Sequence, residues 1–216
     1  MTDHPIIFSG AMVRALLAGE KTQTRRLATS PLRRVEIGDR LYVRESWSGI
    51  FWNPENIDGP ARELWATPKA ERTKALCSGA FYKMTEDAKP AGQRFVPEGQ
   101  WVPSIHMPRW ASRITLTVMS VNVAPLMPIS EADARAEGLI AYRAEELPGH
   151  HVDAWHWLPG VTNRAEMFCS PSSTYAALWG ELHTKAGERW QDNPDVVALT
   201  FSVERGNIDR MLDPPG

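Results

Sequence analysis

Lys21 and Thr24 stand three residues apart in Gly19-Glu20-Lys21-Thr22-Gln23-Thr24-Arg25-Arg26, and the two side chains together could do covalent chemistry. A threonine hydroxyl is a poor nucleophile near neutral pH until a base takes its proton. In a closed site, desolvation and the charges of Arg25 and Arg26 disfavour the ammonium form of Lys21 and lower its pKa, so a neutral amine can act as that base. A lysine-activated hydroxyl is an acyl-transfer arrangement. It also needs an acid for the leaving group and donors for the oxyanion, and the arginines or nearby backbone N–H groups could supply the latter. Residues three apart face opposite ways in a strand and converge in a turn or helical coil, so this reading expects a turned segment. The alternative is a solvated basic loop.

The other reactive side chains offer less. His150, His151 and His156 lie among Trp and Pro with no fixed metal spacing to a carboxylate, and His4 and His183 are isolated. His106, between Pro103 and Trp110, reads as a packed loop residue. Cys77 and Cys169 form no CxxC pair and have no close His to complete a zinc set, so neither a disulfide framework nor a metal or other cofactor is expected. Glu45 closes a predicted strand and Glu137 a predicted short helix; taken alone, each is a surface or capping carboxylate. GxSxG, P-loop and GxGxxG patterns are all missing from the sequence.

The elements that must position these residues follow from pattern and composition. The chain has 216 residues, 43% hydrophobic and 23% charged, with a net charge of −2, as an ordinary single globular domain would. Balanced charge argues against a general nucleic-acid binder relying on an overall positive field, although a local basic groove is compatible with it. No leader-like start or long apolar window stands in the sequence, so a cytoplasmic protein with no membrane partner is expected. Nine Trp are present, suited to capping a small core beneath long loops or to stacking on a planar ligand.

A short strand at Ile6 to Phe8 precedes a helix marked by Ala11, Met12, Ala15, Leu16 and Leu17, which Gly19 stops. Residues Glu20 to Arg26 are then expected to leave as a turn or extended loop. Gly38 to Trp47 reads as a turn and strand, and Ser112 to Val123 as a long strand with Ile114, Leu116 and Val118 on one face. Ser130 caps a two-turn helix closed by Gly138, with Asp133 in a capping-box position. A helix from Tyr175 to Lys185 and a strand from Val196 to Val203 complete the order. Trp-rich insertions are expected at about 48–108, with a strand at Ala80 to Met84, and at about 140–173. This order disfavours a doubly wound parallel sheet and predicts an α+β fold, a small, mostly antiparallel barrel-like sheet with helices at its edge.

With these residues in place, the chain resembles the ASCH domains of the PUA-like superfamily, most closely the longer versions seen in phages and prophages. Gly19 to Arg26 matches the family's G-x-K-x-x-T-x-R, and the resemblance extends to Gly38 to Trp47, Pro103 to Arg113, Ile129 to Leu139 and the last strand. It implies a PUA-like mixed, mostly antiparallel β-barrel with flanking helices. It also implies the activity of small bacterial members, amidohydrolases that remove the acyl group from N4-acetylcytidine with a Lys, a Thr and a Glu. These fall on Lys21, Thr24 and Glu137, and the motif's final Arg falls on Arg26. Thr24 would attack the amide, Lys21 accept its proton and Glu137 protonate or position the departing cytosine amine. Arg26 would stabilise the oxyanion or anchor the ring, with Glu45, Trp47, Arg109 and Trp110 as pocket walls. The expected partner is an N4-acylated cytidine or related nucleoside. The rival expectation is an RNA-binding or RNA-processing module, with Lys21, Arg25 and Arg26 on phosphates and Trp stacked on bases. A third is a phage interaction protein that has kept the fold and lost the reaction.

Overall fold

A computed structural model describes residues 1–51, 77–82, 101–143, 153–157 and 167–210. The fold is α+β, built on a curled five-stranded sheet that forms half a barrel. The strands are β1 (Asp3–Ile7), β2 (Gln23–Leu27), β3 (Arg40–Arg44), β6 (Ile114–Pro125) and β9 (Asp195–Arg205), in the order β1-β3-β6-β9-β2. Only the β1–β3 pair is parallel; the other three are antiparallel, in agreement with the mostly antiparallel sheet expected. Opposite β9, the register of β6 shifts between Val118 and Ser120, where an extra residue bends the strand.

Alternation in the strands fills the concave side. Leu41, Val43, Ile114, Leu116, Val118, Val197, Leu199 and Phe201 are buried there, and α1 (Gly10–Ala18) adds Val13 and Leu16 to the same core. Each fully buried aliphatic side chain stabilises the fold by roughly 1.5–3 kcal/mol through area removed from water. Gly19 ends α1 at φ 77°, a left-handed conformation that glycine adopts without strain, and its N–H reaches the carbonyl of Leu16. The reversal lets the N–H groups of Glu20 and Lys21 both bond to the Ala15 carbonyl, at 2.9 and 3.1 Å.

A second core covers the outer side of this region. There α2 (Glu131–Ala136) and α3 (Pro171–Leu182) bury Leu126, Ala134, Leu139, Tyr175, Leu178, Trp179 and Val196 together. Ser130 caps α2 by accepting from the N–H of Asp133 at 3.0 Å, as its sequence position predicts.

Several boundaries differ from the expected ones. Residues Gln23 to Leu27 form a strand where a turn or loop was expected, because the edge of β9 is open there and pairs Thr24 with Leu199 and Arg26 with Val197. Helix α3 begins at Pro171 and ends at Leu182, not at Tyr175 and Lys185; Ser170 caps it by accepting from the N–H of Ser173, and Pro171 sets the first helical φ. Trp47 does not close β3 but opens β4 (Trp47–Phe51), which pairs with β5 (Cys77–Tyr82) in a separate hairpin. That hairpin and a second one, β7 (Ile140–Tyr142) with β8 (Ala154–His156), lie within the two insertions. Within those insertions, residues 52–76, 83–100, 144–152 and 158–166, which include Met84, His150 and His151, lie outside the described residues, as does the tail from Met211. Among the described residues, no helix is long and apolar enough to cross a membrane.

Candidate active site

Lys21 follows the reversal after Gly19 and makes an isolated antiparallel bridge to Glu137 at the C-terminal end of α2. Its side chain is 1% exposed. Nζ donates to Glu137 Oε2 at 2.8 Å and to the Glu137 carbonyl at 2.7 Å, which leaves one of the three ammonium donor positions without a partner among the described residues. The aromatic face of Phe8 lies 5.5 Å from Nζ. Gly138 makes the close approach possible. It sits at φ 88°, and a Cβ there would stand 2.9 Å from both Ala15 Cβ and Lys21 Cβ.

Strand geometry decides what joins this pair. Side chains at alternate positions share a face, so Lys21, Gln23 and Arg25 point the same way in the extended segment. All three reach α2. Gln23 donates to Asp133 Oδ1 at 3.1 Å, while Arg25 pairs with Asp133 Oδ2 at 3.1 Å and approaches Glu137 Oε1 at 3.5 Å. The carboxylate of Glu137 thus lies between a buried ammonium and a buried guanidinium. Tyr175 of α3, 4% exposed, also places its phenol against Glu137.

Electrostatics follow from this enclosure. Burial pushes the Lys21 ammonium below its usual pKa, Arg26 and Arg25 push it the same way, and Glu137 opposes them without cancelling the shift. Burial raises the Tyr175 phenol well above its usual value, reinforced by the Glu137 charge. Asp133 is held below the usual carboxylate range: burial works against its charged form, and bonds from Ser130 and Gln23 together with the Arg25 charge outweigh it.

Thr24 points differently. It is 0% exposed, and its Oγ1 has no hydrogen-bond partner among the described residues. It shares a strand face with Arg26, whose guanidinium lies 5.2 Å from the Phe8 ring, the same ring that Lys21 approaches. Lys21 thus points with Gln23 and Arg25 toward α2 while Thr24 lies on the other strand face with Arg26; no hydrogen bond joins Lys21 to Thr24, and the expected turned geometry is replaced by an extended one.

The four predicted pocket walls go elsewhere. Glu45, 1% exposed, takes a two-pronged ion pair from Arg113, at 2.8 Å to Oε1 and 3.0 Å to Oε2. Trp47 packs with Met107 and Ala111 and meets Trp110 edge-on at 5.6 Å; its Nε1 is buried without a partner among the described residues. Glu45 joins this second cluster through its N–H, which donates to Met107 Sδ at 3.2 Å. Arg109 pairs with Asp3 and Asp209 and stacks over Tyr42. Among the described residues, none of these partners is Lys21, Thr24 or Glu137.

Gln23, Asp133 and Tyr175 belong to the site and were not singled out for it by their residue types. The period-two row Lys21, Gln23, Arg25 carries the signal for the first once the segment is read as a strand, and Asp133 and Glu137, four apart, mark one face of α2. Tyr175 gives no local signal. Among the described residues, no group of three His, Cys, Asp or Glu side chains is placed to hold a metal ion. No family model, curated protein or solved structure matches the chain.

Proposed function

We propose that the protein is an amidohydrolase of the PUA-like ASCH type, removing the acyl group from N4-acylated cytidine or a related nucleoside. The observation that carries this reading is a fully enclosed Lys21–Glu137 pair three residues from a buried threonine hydroxyl that has no partner among the described residues. An ammonium–carboxylate pair and a neutral amine–carboxylic acid pair differ by one proton moved across the 2.8 Å hydrogen bond. A dry site penalises the charge-separated form, so the neutral form is accessible there. One shift then supplies both groups the reaction needs.

In the proposed sequence, Lys21 and Thr24, which face different ways in the extended segment, are brought together as substrate binds, and the neutral Lys21 amine takes the Thr24 proton as Oγ1 bonds to the amide carbonyl carbon. The tetrahedral oxyanion takes its hydrogen bonds from Arg25 or nearby backbone N–H groups, leaving Arg26 to anchor the substrate. The C–N bond breaks as Glu137 gives its proton to the departing cytosine amine, leaving an acyl ester on Thr24 and the proton from Thr24 on Lys21. Water then attacks the ester. Its proton passes to Glu137, the acid is released, and Thr24 recovers its proton from Lys21.

The RNA-binding alternative finds less support at this site. Lys21 and Arg25 are buried against Glu137 and Asp133, so their charges are neutralised inside the fold and not displayed for a polyanion. The test is to incubate the purified protein with N4-acetylcytidine and follow the ultraviolet spectrum and free acetate. Release of cytidine and acetate in equal amounts is expected. No release from a panel of N4-acylated cytidines, together with tight and steeply salt-dependent RNA binding, would replace this reading with the alternative.

A further inference from the structure

The seam where the half-barrel stays open lies between the edge strands β1 and β2. Among the described residues, side-chain bonds cross it, such as that from Arg26 Nη2 to the Ile7 carbonyl at 3.0 Å. A cavity of about 300 Å³ occupies this seam, lined by Arg26, Arg44, His4 and Ser30 with prolines and aliphatic residues between them. No carboxylate lines it.

Its two guanidiniums differ from four others among the described residues. Arg25, Arg40, Arg109 and Arg113 each pair with a carboxylate. Arg26 and Arg44, among the described residues, pair with none and are held by backbone carbonyls: Ile7 and Arg25 for Arg26, Met107 and Ile105 for Arg44. Such bonds fix the planes of the guanidinium groups without neutralising them, and leave N–H donors over on each. Ser30 Oγ accepts from the N–H of Leu32 at 3.3 Å, so its hydroxyl proton is available to donate as well. His4 is tied to Asp39 by a 3.3 Å contact, outside the lining. Two oriented guanidiniums, neither in a salt bridge among the described residues, and a hydroxyl on a carboxylate-free wall form a receptor for a compact multivalent oxyanion.

The position selects among oxyanions. Arg26 shares a strand face with Thr24, roughly 7 Å farther along β2. An anion held there would sit about one nucleoside away from the reacting amide. We propose that this cavity seats a phosphate group, and that the substrate of the Lys21–Thr24–Glu137 site is a nucleotide whose phosphate is bound by Arg26 and Arg44. The second part rests on the amidohydrolase reading; the first rests on the cavity alone.

Calorimetric titration of the whole protein with cytidine, cytidine monophosphate and a cytidine dinucleotide whose only phosphate is internal tests this without any turnover. A phosphorylated ligand should bind at least about tenfold more tightly than cytidine, a difference of roughly 1.4 kcal/mol. That excess should shrink with added salt, collapse in Arg44→Gln and survive partly in Arg44→Lys. A larger gain with the monophosphate identifies a free nucleotide, and a larger gain with the dinucleotide identifies a chain phosphate. Equal affinity for cytidine and both phosphorylated ligands in the native protein would overturn the proposal, even if Arg44→Gln failed to fold. Equal affinity with hydrolysis intact would remove only the phosphate seat. A clear phosphate preference without hydrolysis of any N4-acylated cytidine would remove the amidohydrolase reading and leave the seat standing.

Discussion

Lys21 Nζ lies 2.8 Å from Glu137 Oε2 and 2.7 Å from the carbonyl oxygen of the same residue, across 116 positions of chain. Both side chains are almost wholly removed from water, at 1% and 4% exposure. Burying two opposite charges seldom stabilises a fold by itself, and apolar replacements of similar shape are often neutral or better. Under the proposed function, the pair at the junction of β2 and α2 serves the chemistry more than the stability of the fold.

That argument has a direct consequence for mutants. Lys21→Met leaves the Glu137 charge buried without its ammonium partner and is expected to cost roughly 3–5 kcal/mol of stability. The double variant Lys21→Met/Glu137→Leu should recover most of the loss. Urea denaturation of both variants measures it, and a double variant no more stable than the single one would contradict the relation.

Thr24 should behave in the opposite way. Its buried hydroxyl has no partner among the described residues, so Thr24→Val removes a desolvation penalty and is expected to raise stability by roughly 1 kcal/mol. Hydrolysis should fall to the uncatalysed level. A stability gain combined with complete loss of turnover is the pattern of a functional hydroxyl, and full activity in Thr24→Val would exclude it as the nucleophile.

The pH dependence has a definite sign. The Lys21 pKa is lowered from 10.5, chiefly by burial. The unfolded chain therefore binds more protons than the folded one in the window below 10.5, and the Lys21 contribution to stability rises with pH through it. For turnover, the pair must hold one proton. The rate should fall on the alkaline side with a midpoint below 10.5, and its two limbs should belong to the pair and not to either residue alone. A pH–rate profile flat to 10.5 would contradict the role given to Lys21.

Gly138 is expected to be intolerant of any side chain. Its φ of 88° and the 2.9 Å approach to Lys21 Cβ and Ala15 Cβ mean that Gly138→Ala must strain the backbone and push Lys21 away from its bridge to Glu137. A loss of roughly 1–3 kcal/mol is expected, with a drop in kcat larger than any change in KM. Thermal denaturation and steady-state kinetics of this one variant read both effects.

Much of the scaffold was legible because its signals are local. Gly19 and Gly138 mark helix ends, Ser130 a helix start, and the alternation of Ile114, Leu116 and Val118 a strand with one buried face. The stretch from Lys21 to Arg26 was misread because its polar residues suggest a solvated loop. Its burial depends on acids supplied more than a hundred positions away, Asp133 and Glu137, which turn a basic stretch into an inward-facing edge strand. The same reason hid the partners of Glu45 and Arg109. Arg113, Asp3 and Asp209 are brought to them by sheet pairing, and no local spacing announces such contacts.

Acid-quenched mass spectrometry of the protein mixed with N4-acetylcytidine asks most directly whether Lys21, Thr24 and Glu137 carry out acyl transfer. A single acetyl group should appear on the peptide that holds Thr24 during turnover, and it should be missing from Thr24→Val and Lys21→Met. Cytidine released at full rate by Thr24→Val, with no acetyl group on the native peptide, would show that the chemistry lies elsewhere.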